Sequence, residues 1–325
     1  MPRRPSRSTL QAVQPDPDTT LDLVTFKASH NSYESSGGSL TSQLDWNPAL
    51  PQLGGCRGVE LDARPTRDGG EWKVGHRWWI FEVGRPAHTL LRSYLDELMA
   101  WIDDSQSPGR GPVWITLQVD GYARDVPGFP EQLDRYIARS IPPGRIWGPK
   151  DMLTSGQSDL VLAFAQHGAV WPSLDSLRSK FVVCLTGEDQ AKSEYSKYVP
   201  ESRLCFADKA GFRVSKNSPP IAQGSRIVFN IDATEYLRER EVSPSTTPRT
   251  TKDLERELRW YREHPGLMTR VFGVNDPERW EKARRGGANI IATNSIAVKN
   301  RKWATADPDR AGPFYTAGSP ARRTA

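Results

Sequence analysis

Short apolar runs recur along this chain, each closed by polar residues, and that rhythm constrains the fold more than anything else in the sequence. The runs are Leu23–Ser29, Gly58–Arg64, Trp72–His76, Val113–Val119, Phe181–Leu185, Arg203–Phe206, Arg226–Ile231, Leu267–Val274 and Asn289–Thr293. Their brevity and β-branched content read as buried strands. Helical patterns separate several of them. His88–Asp104 sets Leu91, Leu95, Leu98 and Ile102 on one face, and Pro130–Ser140, Thr251–His264 and Pro277–Gly286 carry apolar stripes. Asp276-Pro277 supplies an N-cap followed by proline at the first helical position. Strands alternating with helices predict a parallel sheet with right-handed crossovers. Nine candidate strands in 325 residues suit one (β/α)8 barrel of the TIM type, with one run misread or lying outside it.

Composition narrows the class. Hydrophobic residues make up 37% of the chain, enough for a core. No stretch approaches the ~18 uncharged apolar residues of a spanning helix. The opening residues also lack the apolar run of a secretory leader, so a cytoplasmic location is the default expectation. Three cysteines with no CxxC spacing imply neither a disulfide framework nor a zinc cluster, and Cys184 and Cys205 read as buried small hydrophobes. The net charge of +5 collects at the ends, without the interleaved aromatics of a nucleic-acid surface. Residues 1–20, rich in Pro, Ser and Asp, read as disordered, 21–298 as a single barrel domain and 299–325 as a basic tail. Asn217–Gly224 and Ser243–Thr251 read as loops outside the core.

Candidate chemistry gathers at the C-terminal ends of the early strands, the face where parallel barrels collect reactive groups. The first strand ends in Ser29-His30-Asn31-Ser32-Tyr33. In the second, alternation places Glu60, Asp62 and Arg64 on one face and Val59, Leu61 and Ala63 on the other. Two acids on one face of an apolar strand are costly to bury unless something neutralises them. A hard divalent cation held by carboxylate and amide oxygens is the simplest neutraliser, and Arg64 is an alternative partner. A turn, Thr66–Gly70, leads to His76, and Val113–Val119 sets Thr116 and Gln118 on a face shared with Asp120. Taken singly, each group has a structural explanation: a hydrogen-bonded histidine, a salt bridge, an asparagine closing a turn. A barrel would bring them all to one mouth.

The succession HNSY, GVELDAR and DGG…VGH resembles the catalytic half of calcium-dependent phosphatidylinositol-specific phospholipase C, within the PLC-like phosphodiesterase superfamily. The stretch DARPTRDGGEWKVGH is also similar to glycerophosphodiester phosphodiesterases, and GAVWPSLDSLRSK and RRGGANIIAT resemble later barrel segments of the calcium-dependent enzymes. The resemblance spans residues 23–296 and implies a phosphodiesterase acting on a phospholipid or glycerophosphodiester. It makes His30 and His76 the catalytic pair: His76 handles the proton of the attacking hydroxyl, and His30 supports the phosphoryl group. It makes Asn31, Glu60, Asp62 and Gln118 ligands of Ca2+, with Mg2+ a second candidate, and leaves Arg64 to bind the substrate phosphate. Attack by a neighbouring hydroxyl would give a cyclic phosphodiester that water later opens.

Two departures bear on the implied metal site, while the retained Glu60 favours a metal. Gln118 stands where the family offers another acid, with Asp120 the nearest substitute, and Arg64 follows Asp62 as it does in metal-independent relatives. Asn294 also replaces a frequent aspartate. The expected partners are the substrate and, through Trp78, Trp79 and Phe81, peripheral membrane contact, with no nucleic acid. The alternatives are a glycerophosphodiester phosphodiesterase or lipid-cyclising phospholipase D-like enzyme, and a headgroup-binding barrel with little turnover.

Overall fold

Strand alternation sorts the side chains of this chain into an inner and an outer set, and the strand register closes them into a ring. The structure, a computed structural model, describes residues 15–45, 54–78, 81–83, 86–104, 110–153, 157, 159–167, 170–197, 202–210, 226–236, 254–264, 266–296 and 314–316. The two expected loops, Asn217–Gly224 and Ser243–Thr251, lie outside the described residues. The strands are β1 (Val24–Ser29), β2 (Gly58–Pro65), β3 (Trp72–Val74), β4 (His76–Trp78), β5 (Phe81–Val83), β6 (Val113–Val119), β7 (Phe181–Gly187), β8 (Phe206–Ala210), β9 (Val228–Asp232), β10 (Met268–Phe272), β11 (Ile290–Thr293) and β12 (Phe314–Thr316). The helices are α1 (Leu40–Leu44), α2 (Leu91–Ile102), α3 (Phe129–Ser140), α4 (Pro149–Met152), α5 (Leu160–His167), α6 (Asp189–Lys197), α7 (Leu254–Arg262) and α8 (Pro277–Gly286).

Eight of the strands pair in parallel in the order β1-β2-β6-β7-β8-β9-β10-β11 and return to β1, a TIM-type (β/α)8 barrel. Closure between β1 and β2 uses the pair Ala28–Gly58. A Cβ on Gly58 would lie 2.8 Å from the Ala28 Cβ, so glycine is what lets the seam shut. The outer faces of β2 and β6 (Val59, Leu61, Ile115, Leu117) pack against Leu95 and Leu98 of α2 and Leu133 of α3. Inside, Phe26 and Trp114 meet at a centroid distance of 6.3 Å within an apolar floor that includes Val182, Phe206 and Met268. Further along the same strands the inward positions turn polar: Glu60, Asp62, Gln118, Thr186, Asp208, Asn230 and Arg270. The barrel thus has a dry base and a charged mouth.

Three expectations need adjustment. The run Trp72–His76 is the one outside the ring: after the Thr66–Gly70 turn, β3 returns antiparallel along β2 and continues into the β4–β5 hairpin. The strand expected at Arg203–Phe206 begins at Phe206 and runs to Ala210, because Arg203 is held outside by Glu131 and Asp134. Phe314–Thr316, within the stretch read as a basic tail, pairs antiparallel with β1.

Lys27 on β1 is fully buried near Cys56 and Arg57, and burial pulls its ammonium down from the ordinary lysine value to about 8. Below that pH both folded and unfolded chains carry the proton and the fold bears the cost of the buried charge. Between 8 and 10.5 only the unfolded chain keeps it, so this group's contribution to stability rises with pH by up to about 3 kcal/mol. Lys27→Met is expected to be more stable than the parent at neutral pH, with an advantage that shrinks as urea titrations move through that window. A pH-independent difference would contradict the assignment.

Candidate active site

The loop after β1 is clasped onto β2 by paired serines. The Ser29 and Ser32 hydroxyls are in contact, the Ser32 N–H donates to the Glu60 carbonyl at 3.0 Å, and the Glu60 N–H donates to Ser32 Oγ at 2.8 Å. Asn31 makes the turn with φ of 53°, a left-handed conformation that asparagine tolerates better than most residues. His30 and Asn31 are thereby set directly over Glu60.

Three contacts fix the His30 ring. Nδ1 lies 2.6 Å from Asn294 Oδ1, Nε2 lies 3.4 Å from Glu60 Oε2, and Phe272 stacks on the ring at 5.7 Å with planes 17° apart. With the amide oxygen facing Nδ1, the contact favours the tautomer with hydrogen on that nitrogen and turns Nε2 toward Glu60. Glu60 Oε2 also accepts from the Asn31 N–H at 3.2 Å and forms an ion pair with Arg270 Nη2 at 2.9 Å. Burial pushes the Glu60 carboxyl up, but Arg270, His30 and the Asn31 N–H outweigh it and hold the group below its ordinary value. It is a carboxylate at neutral pH.

Asp62 accepts from Tyr33 Oη at 3.1 Å, and both burial and the nearby carboxylate push the phenol up, so it stays a donor. Gln118 is the register neighbour of Asp62 on β6. Across the ring a polar chain continues from Arg270: Nη1 donates to Asn230 Oδ1 at 2.9 Å, and Asn230 Nδ2 donates to Thr186 Oγ1 at 2.8 Å. Beyond it Lys192 of α6 pairs with buried Asp208 at 2.7 Å. A cavity of about 310 Å³ opens here, lined by Gln118, Lys192, Asp208, Asp232, Glu235, Tyr236 and Phe272 among others.

Of the residues singled out from sequence, His30, Asn31 and Glu60 are in direct contact, and Asp62 and Gln118 sit beside them on adjoining strands. Arg64 is half-buried, and its charge acts on Asp120. Asp120 accepts the Tyr122 N–H at 3.1 Å, capping the turn after β6. The Gly75 N–H donates to the Asp62 carbonyl at 3.0 Å, which places the start of β4 beside Asp62. The His76 side chain itself, with those of Trp78 and Phe81 and the whole of Trp79, lies outside the described residues. Sequence reasoning gave no role to Arg270, Tyr33, Asn230, Asp208 or Lys192. The signal was present: a charged residue inside the apolar run LMTRVFGV raises the same question as the acids in GVELDAR.

Among the described residues no three His, Cys, Asp or Glu side chains gather as a metal cage. The oxygens at hand are the carboxylates of Glu60 and Asp62 and the amides of Asn31 and Gln118, all hard donors of the kind calcium takes. The donor set therefore fits a hard divalent cation in kind, with modest negative charge.

No family model matches the chain, and no curated protein sequence matches it. Solved structures do. A calcium-dependent phosphoinositol-specific phospholipase C from Pseudomonas sp. aligns at TM-score 0.67 and 18% identity, over 94% of this chain and 97% of its own. A Ca2+-dependent phosphatidylinositol-specific phospholipase C from Streptomyces antibioticus aligns at TM-score 0.64 and 17% identity, over 93% of this chain and 100% of its own. The likeness is one of fold: this chain shares the TIM-type barrel of these two solved structures. In this barrel the Asn294 contact dictates which His30 nitrogen carries hydrogen. Imidazole nitrogen NMR is therefore expected to show the neutral His30 ring protonated at Nδ1, and Asn294→Leu to move the hydrogen to Nε2, toward Glu60. An unchanged spectrum in the variant would remove that role.

Proposed function

We propose that this chain is a phosphodiesterase that cleaves phosphoinositide-type phospholipids, in the manner of phosphatidylinositol-specific phospholipase C. The observation that carries the proposal is His30, held by Asn294, Glu60 and Phe272 at the polar mouth of a barrel with this fold. Beside it the cavity of about 310 Å³ offers carboxylates, an amide and an aromatic face to a polyhydroxyl headgroup. Asn31, Glu60, Asp62 and Gln118 would hold a divalent cation, Ca2+ before Mg2+. Bound there, the cation would offset charge building on the phosphoryl oxygens and acidify the attacking hydroxyl.

The protein's own groups carry the proton traffic. His76 takes the proton from a ring hydroxyl beside the phosphate. That oxygen forms a new bond to phosphorus, and the bond from phosphorus to the lipid oxygen breaks. His76 passes the proton it took to the leaving oxygen, and water later opens the cyclic phosphodiester. His30, once its ring also carries a hydrogen on Nε2, donates from that nitrogen to the phosphoryl group as charge accumulates. Arg64 would meet a phosphate oxygen, and lipid contact would come from the segment around Trp78.

With a phosphatidylinositol substrate, His30→Ala and His76→Ala are each expected to lower kcat by roughly 10²–10⁴-fold. EDTA is expected to suppress activity, and calcium to restore it. Full activity in both variants would overturn the mechanism, and indifference to chelation would remove the cation from it. Glycerol phosphate or a cyclic lipid phosphate in place of inositol cyclic phosphate would move the chain to the glycerophosphodiesterase or phospholipase D-like alternative.

A further inference from the structure

Arg270 was invisible to the motif, yet it makes the shortest charged contact that Glu60 has. Its side chain and that of Glu60 are each 3% exposed. Nη1 is tied to Asn230 Oδ1 at 2.9 Å, which aims Nη2 at Glu60 Oε2, also at 2.9 Å. The Nη2 approach does not meet hydrogen-bond geometry, and Nε likewise has no hydrogen-bond partner among the described residues. The guanidinium is thus held at Glu60 chiefly by charge, at hydrogen-bonding distance.

Oε2 is crowded. It receives Nη2 of Arg270, Nε2 of His30 at 3.4 Å and the Asn31 N–H at 3.2 Å. A cation drawn to this carboxylate meets a backbone N–H that cannot leave and an imidazole pinned by Asn294 and Phe272. Arg270 is the occupant whose charge repels the newcomer. It also cancels one of the two negative charges that Glu60 and Asp62 would present, while Gln118 adds none.

We infer that Arg270 is a resident competitor for the cation at Glu60. The guanidinium neutralises the buried carboxylate while the cation is absent and yields it when the cation enters, so Arg270 sets how weakly the site holds calcium. The inference rests on the cation role proposed above, and it gives the buried Glu60 carboxylate a counter-charge from the protein itself. The neighbouring cavity, with Asp232 and Glu235 in its lining, gives the released guanidinium acidic surroundings.

The test is calcium binding to the full chain without substrate, by isothermal titration calorimetry and by the calcium-dependent rise in Tm. Arg270→Met is expected to bind Ca2+ at least roughly tenfold more tightly than the parent, the size of one partly screened like-charge contact. Its Tm is expected to respond more steeply to calcium. A gain of affinity is not something structural damage produces. Unchanged or weaker binding by the folded variant overturns the inference and leaves the phosphodiesterase proposal standing. Should Arg270→Met fail to fold, Arg270→Lys carries the test. It keeps the charge but cannot span Asn230 and Glu60 together, so a few-fold tightening is expected, and none overturns the inference. Calcium binding by neither parent nor variant also overturns it. The EDTA assay on the parent then decides separately whether the phosphodiesterase needs a cation.

Discussion

A carboxylate buried in the middle of an apolar strand is the constraint around which this molecule is arranged. Glu60 cannot keep its charge inside the barrel unless positive or donor groups surround it. Three segments answer that demand. The β1 loop brings His30 and the Asn31 N–H, β10 brings Arg270, and β9 brings Asn230 to hold Arg270 in place. Residues more than two hundred positions apart in sequence are thereby committed to one point at the mouth.

The barrel makes that convergence possible at tolerable cost. Its base is dry and filled by Phe26, Trp114 and their neighbours, so the strands are anchored without help from the polar end. Charge is concentrated near the opening, where part of it meets solvent and the rest is paired: Glu60 with Arg270, and Asp208 with Lys192. A ring of this kind can carry a reactive mouth because its stability resides elsewhere. That division of labour is common to TIM barrels generally.

The site also joins two uses of positive charge. A guanidinium is permanent, oriented and already paid for in folding, whereas a divalent cation is stronger but must be recruited. Placing Arg270 on the carboxylate that a cation would seek links the two. With the cation role proposed above, the affinity for the ion would be adjustable through a residue outside the ligand set. Gln118, lacking charge, pulls in the same direction.

Much of this was legible in the sequence, because local patterns report local physics. Alternation in GVELDAR put Glu60 and Asp62 on one face, the alternation of strands and helices pointed to a parallel barrel, and HNSY marked the loop that carries His30. Seven of the nine strand assignments fall in the ring with small shifts at their ends. The Arg203–Phe206 run enters it only from Phe206 onward, and the Trp72–His76 run turns back along β2. The partners of each charge were not legible. An arginine in LMTRVFGV and an asparagine in VFNID are, to a reader of sequence, isolated polar residues in strands. Only the register around the closed ring decides that Arg270 pairs with Glu60, or that His30 meets Asn294 at Nδ1 and Glu60 at Nε2. Periodicity is set by neighbours a few residues away, so it survives in one dimension. Electrostatic pairing depends on distances across the barrel, and these exist only once the strands have closed.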